Sequence, residues 1–263
     1  MLKAVNLIMI GIYFSGTGNT RHCVEKFTKA YDPEAIVYSI EDIRLPELIR
    51  SETEIVFGYP TQYSSMPKIL RDFMIQNQEL WQGKKVFILT TMRMFSGDGA
   101  GVLARLLETF GAAVTGGLHL KMPDSISDEK VLKTTLEKNR QLVTESEEKI
   151  KKAVQKLQMG KPPQEGLGAF SHLAGLFGQR LYFYNKTKRY TDKLTIHSKK
   201  CIGCSKCVKL CPMKNIVMEN GIAKSGDQCT MCYRCINHCP KQAITLLGHR
   251  VYEQGWIEKY LQK

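Results

Sequence analysis

The chain is predicted to fold as a doubly wound α/β unit on a five-stranded parallel sheet, followed by a small cysteine-rich unit. Three observations predict it. Short apolar, β-compatible runs alternate with helical patterns as far as residue 158. A loop of glycines and hydroxyls, SGTGNT at 15–20, directly follows the first run, and eight of the nine cysteines crowd into residues 201–239.

The elements follow in order. Residues 7–13 are apolar and form the first strand; the loop FSGTGNT (14–20) then opens a helix running to about Tyr31. Further strands are predicted at AIVYSI (35–40), EIVFGY (54–59), KVFILTT (85–91) and AAVTGGLHL (112–120). Between and after them lie helical patterns near 43–50, 67–77 and 100–110, and a long charged one at 127–158. Such alternation builds a parallel sheet covered on both faces, which binds ligands at the carboxyl ends of its strands. GKPPQEG (160–166) reads as a linker. Phe170, Leu173, Ala174, Phe177, Leu181 and Tyr184 then recur at helical spacing, as a helix packed between units or a lid over a cofactor. The chain accordingly divides into 1–159, a linker and packing helix at 160–190, a cysteine-rich unit at 191–250 and a C-terminal helix at 251–263.

Composition narrows the class. At 263 residues and 43% hydrophobic the chain matches a globular norm, and no apolar run reaches transmembrane length. The opening MLKAVNLIMIGIYF mimics a secretory signal, yet it lacks a small-residue cleavage site and runs straight into the glycine loop. A cytoplasmic protein without membrane partners is expected, as a monomer or homodimer. Of the net charge of +13, most sits in residues 161–263, with 17 basic and 6 acidic side chains. No nucleic-acid recognition motif accompanies that excess, so a solvated basic face or the docking of an acidic redox partner is expected.

The cysteines repeat. Shifting Cys201, Cys204, Cys207, Cys211 and Pro212 by 28 lands on Cys229, Cys232, Cys235, Cys239 and Pro240, and Ile216 lands on Ile244. Disulfides belong to oxidising compartments, for which the chain carries no mark. Zinc ribbons use two C-x2-C pairs and leave four of these cysteines idle. The doubled C-x2-C-x2-C-x3-C-P unit resembles bacterial two-cluster ferredoxins, in which the fourth cysteine of each run ligates the other cluster. The resemblance implies two [4Fe–4S] clusters, one on Cys201, Cys204, Cys207 and Cys239 and one on Cys229, Cys232, Cys235 and Cys211. The lone Cys23 reads as a small buried hydrophobe on a helix. With two such clusters, each about −2, the second half keeps roughly +7. Oxygen-labile clusters suit an anaerobe.

SGTGNT is neither the dinucleotide fingerprint nor a P-loop. Hydroxyls, an amide and backbone N–H groups at a helix start suit a monophosphate, and helix capping is the plainer alternative. The loops YPTQYSSMP (59–67) and TMRMFSGDGAG (91–101) follow the third and fourth strands. Residues 5–158 resemble flavodoxin, and the whole chain resembles the flavodoxin–ferredoxin fusion proteins called EFR-type ferredoxins. That resemblance implies a flavodoxin-like fold, an FMN, a small α+β two-cluster ferredoxin domain, and electron transfer with a ferredoxin or oxidoreductase as partner. It places the phosphate on Ser15, Thr17, Gly18, Asn19 and Thr20, and the ribityl chain and ring on Pro60, Thr61, Tyr63 and Ser64. Met92, Phe95, Ser96 and Gly97 would take the other side of the ring. The second loop departs from simple flavodoxins in carrying Arg93, a cation that favours an anionic reduced flavin. Asp98, Asp124 and Asp128 read as turn or cap residues, and His238 as a neighbour of a ligand. No G-x-S-x-G elbow, H-E-x-x-H or recognisable nicotinamide module is present, and the rival reading is a flavin-dependent reductase of a small organic substrate, fed by another ferredoxin, whose pocket helix 167–185 or residues 121–130 would close.

Replacing Cys211 with Ala is expected to abolish the cluster on Cys229, Cys232 and Cys235 and spare the other, read as a loss of about half the iron. Loss of the cluster on Cys201, Cys204 and Cys207 instead would overturn the crossed assignment.

Overall fold

Tertiary pairing turns the predicted runs into β1 (Met9–Tyr13), β2 (Val37–Ser39), β3 (Glu54–Pro60), β4 (Lys85–Met92) and β5 (Ala113–Lys121). The computed structural model describes residues 9–94, 97–175, 177 and 188–261. All neighbouring pairs are parallel, in the order β2-β1-β3-β4-β5. This is the flavodoxin-like order of the doubly wound fold, with its switch point between β1 and β3. β3 and β4 are buried almost throughout and therefore read as continuous apolar runs.

Side-chain alternation feeds two cores. Ile55, Phe57 and Tyr59 point to one face, under α2 (Leu45–Ser51), α3 (Lys68–Gln76) and α4 (Gly99–Thr109). Val56, Phe87 and Leu89 point to the other, under α1 (Asn19–Tyr31) and α5 (Leu136–Gln158). Cys23 lies on α1, fully buried in that second core, where burial pushes its thiol well up and leaves it inert.

The long helix starts later than its charged pattern predicts. Thr135 caps it, accepting from the Lys138 N–H, and residues 127–135 take another course. Ser127 and Asp128 are drawn away into buried hydrogen bonds that outweigh the helical propensity of the segment. The linker is also tied down. Gly117 donates to Pro163 O and accepts from the Glu165 N–H, so residues 163–165 run along the edge of β5. Gly116 and Gly117 allow this approach, since a Cβ at either would lie 2.5–2.6 Å from a linker carbonyl. Of the expected packing helix, α6 (Ala169–Gly175) is described; Phe170 and Leu173 face solvent while His172 meets Asp98, a correction to the packing read from their spacing. Leu181 and Tyr184 lie outside the described residues.

The second unit contains β6 (Thr195–Ile196), α7 (Lys206–Leu210), β7 (Ile216–Glu219), β8 (Ile222–Ser225), α8 (Arg234–His238) and β9 (Ile244–Thr245). β6 pairs with β9 and β7 with β8, both antiparallel. The 28-residue repeat extends to the backbone. Gly203, Ser205 and Lys214 have positive φ, and so do Met231, Tyr233 and Gln242. α7 and α8 have equal length, and Ile216 and Ile244 are equally buried. The C-terminal segment is helical only at α9 (Ile257–Tyr260), whose Ile257 and Tyr260 return to the second core of the sheet unit.

A buried carboxylate ties the units together. Asp128, 1% exposed, accepts through Oδ2 from the N–H groups of Leu246 (2.6 Å), Leu247 (3.0 Å) and Gly248 (3.2 Å), and through Oδ1 from the Tyr233 hydroxyl (2.9 Å). Beside it, Ser127 donates to Asn237, and Asn237 donates to Ser125 O. Asp128→Asn, which keeps the shape but removes the charge, is expected to weaken this junction by about 1.5–3 kcal/mol. A lowered urea midpoint for loss of cluster absorbance checks it; an unchanged midpoint refutes it.

Candidate cofactor site

The first loop leaves β1 through Phe14 and turns into α1 within six residues. The Gly18 N–H donates to Ser15 Oγ (3.1 Å), and Gly18 sits at φ 89°, a left-handed conformation that glycine adopts freely. Thr20 pairs its hydroxyl with that of Thr91 at the end of β4 (2.8 Å), and Thr17 with that of Ser125 (2.9 Å). Asn19 donates to Pro123 O (2.7 Å). The helix start is thus clamped to the loop after β5.

The second loop is a tight reversal. Gln62 and Ser65 exchange backbone hydrogen bonds, with Tyr63 (φ 49°) and Ser64 (φ 55°) between them. Two successive non-glycine residues in the left-handed region persist only where the surroundings hold them. Here Gln62 Nε2 donates to the carbonyls of Thr230 and Met231 in the cysteine unit, both at 3.2 Å.

These loops enclose a cavity of about 370 Å³ at the carboxyl ends of β1, β3 and β4. Ser15, Thr17, Asn19, Thr20, Pro60, Thr61, Tyr63 and Met92 line it, as the sequence led one to expect. Gly18 does not; it faces an open groove on the outer side of the loop, and Gly16 lines the cavity. Ser64 and Gly97 pack toward each other and Gly97 against Gly175, off the lining, because the reversal turns Ser64 inward. Phe95 and Ser96 lie outside the described residues. No described residue of α6 reaches the lining, so the lid expectation finds no support there.

Sequence reasoning pointed to residues 121–130 as one cover for the cavity, but not to the wall that the cysteine unit supplies. Met122, Pro123, Asp124, Ser125, Ile126 and Leu132 arrive after β5, and Met231, Cys232, Tyr233 and Leu247 come from the cysteine unit. Gly16 is the local signal that was available. A Cβ there would lie 1.9 Å from Cys232 O, so the loop backbone and the cysteine loop are in direct contact. Arg93 and Asp124 are the charged residues among the described lining, and no lysine takes part.

The cavity has unfilled polar capacity. Asn19 Oδ1, Thr61 Oγ1 and Gln62 Oε1 are buried with no protein partner among the described residues. Such groups call for a polar ligand or water. Hydroxyls and helix-start N–H groups at one end, apolar methionines at the other, fit a phosphorylated polyol carrying a flat ring.

Two smaller voids lie in the cysteine unit. Cys201, Cys204, Cys207 and Cys239 line one; Cys211, Cys229, Cys232 and Cys235 line the other. The last cysteine of each run has therefore crossed to its neighbour's void. Among the described residues no group of His, Cys, Asp or Glu is arranged to hold a single metal ion, whereas sulfurs around a void suit a polynuclear cluster. Backbone N–H groups reach the sulfurs, in matching places for Asn215 to Cys211 and Ala243 to Cys239, both 3.3 Å, and in unlike places for Met231 to Cys229, 3.4 Å, and Ala223 to Cys201, 3.5 Å. Burial pushes the Cys232 thiol up to about 12, so it has little thiolate character until a metal displaces its proton.

Residues 193–247 match the family model described as a 4Fe-4S dicluster domain. Solved structures similar to the first half include a flavodoxin from the domain Archaea, 20% identical, with 54% of this chain and 98% of that chain covered and a TM-score of 0.39. Two-electron reduced Megasphaera elsdenii flavodoxin is 24% identical, with 54% and 98% covered and a TM-score of 0.39. Fusobacterium nucleatum flavodoxin bound to flavin mononucleotide is 17% identical, with 57% and 97% covered and a TM-score of 0.41. At such values the fold assignment rests on the strand order. No curated protein matches the chain significantly.

Thr17→Ala and Thr20→Ala are each expected to weaken flavin retention by about 0.5–1.5 kcal/mol, more if the lost partner is the charged phosphate. Equilibrium dialysis with FMN and with FAD measures it, and preferential retention of FAD would refute the monophosphate assignment.

Proposed function

We propose that the chain is an electron-transfer iron–sulfur flavoprotein in which two [4Fe–4S] clusters pass single electrons to and from an FMN. Cys232 carries the reading, because it lines both a four-cysteine void and the large cavity. The cluster on Cys211, Cys229, Cys232 and Cys235 is then the inner one, against the flavin. The cluster on Cys201, Cys204, Cys207 and Cys239 is the outer one. The cofactors supply one- and two-electron chemistry when bound. The chain fixes their spacing through Asp128 and Gln62, and directs N–H groups at the sulfurs, which tunes the potentials. Ser15, Gly16, Thr17, Asn19 and Thr20 would hold the phosphate and Thr61, Gln62 and Tyr63 the polyol and ring. No helix among the described residues is long and apolar enough to cross a membrane, and we place the protein in the cytoplasm.

The outer cluster offers a landing face. Cys204 is exposed, Ile202 is 58% exposed, and Lys199, Lys200, Lys206 and Lys209 flank them in the chain, with Lys214 in the turn after α7; all five are exposed and without a carboxylate partner among the described residues. An apolar centre inside a basic rim fits an acidic redox protein. One observation favours the reductase reading: the segment 122–126 walls the cavity, as shelter for a small substrate requires. Steady turnover of a small organic acceptor with no partner protein present decides for that alternative.

Opposite charges attract over a Debye length that shrinks from about 30 Å at 0.01 M to about 8 Å at 0.15 M ionic strength. Stopped-flow reduction by an acidic ferredoxin is expected to slow with salt, and Lys206→Glu with Lys209→Glu to slow it further. Rates indifferent to both exclude this face.

A further inference from the structure

Flavin reduction needs protons as well as electrons, and iron–sulfur clusters deliver only electrons. On the reading that the cavity holds FMN, a proton must come from its wall or from solvent. Among the described lining residues Asp124 is the one carboxyl, and no histidine or lysine takes part. Arg93 is a permanent cation. Tyr233 donates its hydroxyl to Asp128, and burial pushes the Tyr63 and Tyr233 hydroxyls up, away from the working range. Cys232 is assigned to the inner cluster. Asp124 is fixed in place through one oxygen and open at the other. Its Oδ1 accepts from the Ile126 N–H at 2.6 Å, and its Oδ2 has no hydrogen bond from a described residue.

We propose that Asp124 is the proton carrier of this cavity, giving a proton to the bound flavin as electrons arrive from the clusters and recovering it on reoxidation. The part of the chain in the step is the proton: the Asp124 O–H bond would break as a bound flavin took two electrons, one from each reduced cluster, and a ring nitrogen of the flavin would receive the proton. The carboxylate left behind would recover a proton from water, which its partial exposure admits. Burial favours the neutral acid, against the opposing pull of the Ile126 N–H, Lys133 and Arg93. Tyr233 and Tyr260 also face it and remain neutral. Asp124 therefore keeps its proton to higher pH than an ordinary aspartate, and the donor is lost as pH rises through that raised value.

The test uses full-length protein with both clusters and flavin loaded, comparing wild type, Asp124→Asn and Asp124→Glu. Asn keeps an acceptor for the Ile126 N–H. Flavin content, the carboxylic C=O infrared band, and the rate of flavin reduction after rapid reduction of the clusters are followed against pH. Wild type is expected to slow as pH rises. D124N is expected to lose the infrared band and the pH dependence, and to reduce flavin about 100-fold more slowly at low pH. D124E is expected to restore a pH dependence at a shifted position. Wild-type rate and profile in D124N, or a D124E profile as flat as that of D124N, overturns the proton role alone. Wild-type protein that neither carries nor takes up flavin overturns the cavity reading, and this proposal with it.

Discussion

A buried carboxylate ties the two halves of this molecule together. Asp128 is reached by three successive backbone N–H groups and a tyrosine hydroxyl, all from a segment more than a hundred residues away. A charge removed from water to this extent is unfavourable unless its lone pairs are filled, and four donors fill them. The directional demand of those donors fixes where the cysteine unit sits. It follows that Met231, Cys232 and Tyr233 arrive at the mouth of the sheet's ligand site rather than elsewhere on its surface. Gln62 and Arg234 reinforce the placement, Gln62 through two carbonyls of the cysteine unit and Arg234 through Ser15 O and Glu41.

The distribution of charge and burial around the two four-cysteine voids is asymmetric despite their shared backbone. Cys235 is buried in the core of the cysteine unit and Cys232 packs against the sheet unit, while Cys204 lies at the surface. A repeated sequence has been given one inward and one outward copy by what packs on each. Identical cysteine spacings thus meet unequal surroundings, and surroundings are what tune the potential of an iron–sulfur cluster.

Much of this was legible in advance, for definite reasons. The five strands were readable because each is a short apolar run bounded by a turn, and the sheet's interior leaves no choice of face. The crossing of Cys211 and Cys239 to each other's void was legible only through the resemblance to two-cluster ferredoxins, since spacing gathers three cysteines in one loop but does not say where the fourth goes. Residues 127–135 were misread as helix because DEKVLK carries helical propensity, while the partners that override it are distant in sequence. Ser64 and Gly97 were misplaced by treating a loop as if every residue faced the ligand; the left-handed pair at 63–64 sends alternate side chains apart. The part of the cavity's wall that the cysteine unit supplies was illegible, since nothing local tells the chain after β5 that it will meet Leu247.

Gly16 carries a consequence for the fit of the two units. Its hydrogen fills the space where any other residue would put a methyl group into the carbonyl of Cys232. The glycine loop and the cysteine loop therefore share one surface with no slack between them. A side chain at position 16 would push the two units apart where both line the same cavity. The fit of one half of the molecule to the other turns there on the absence of one carbon atom.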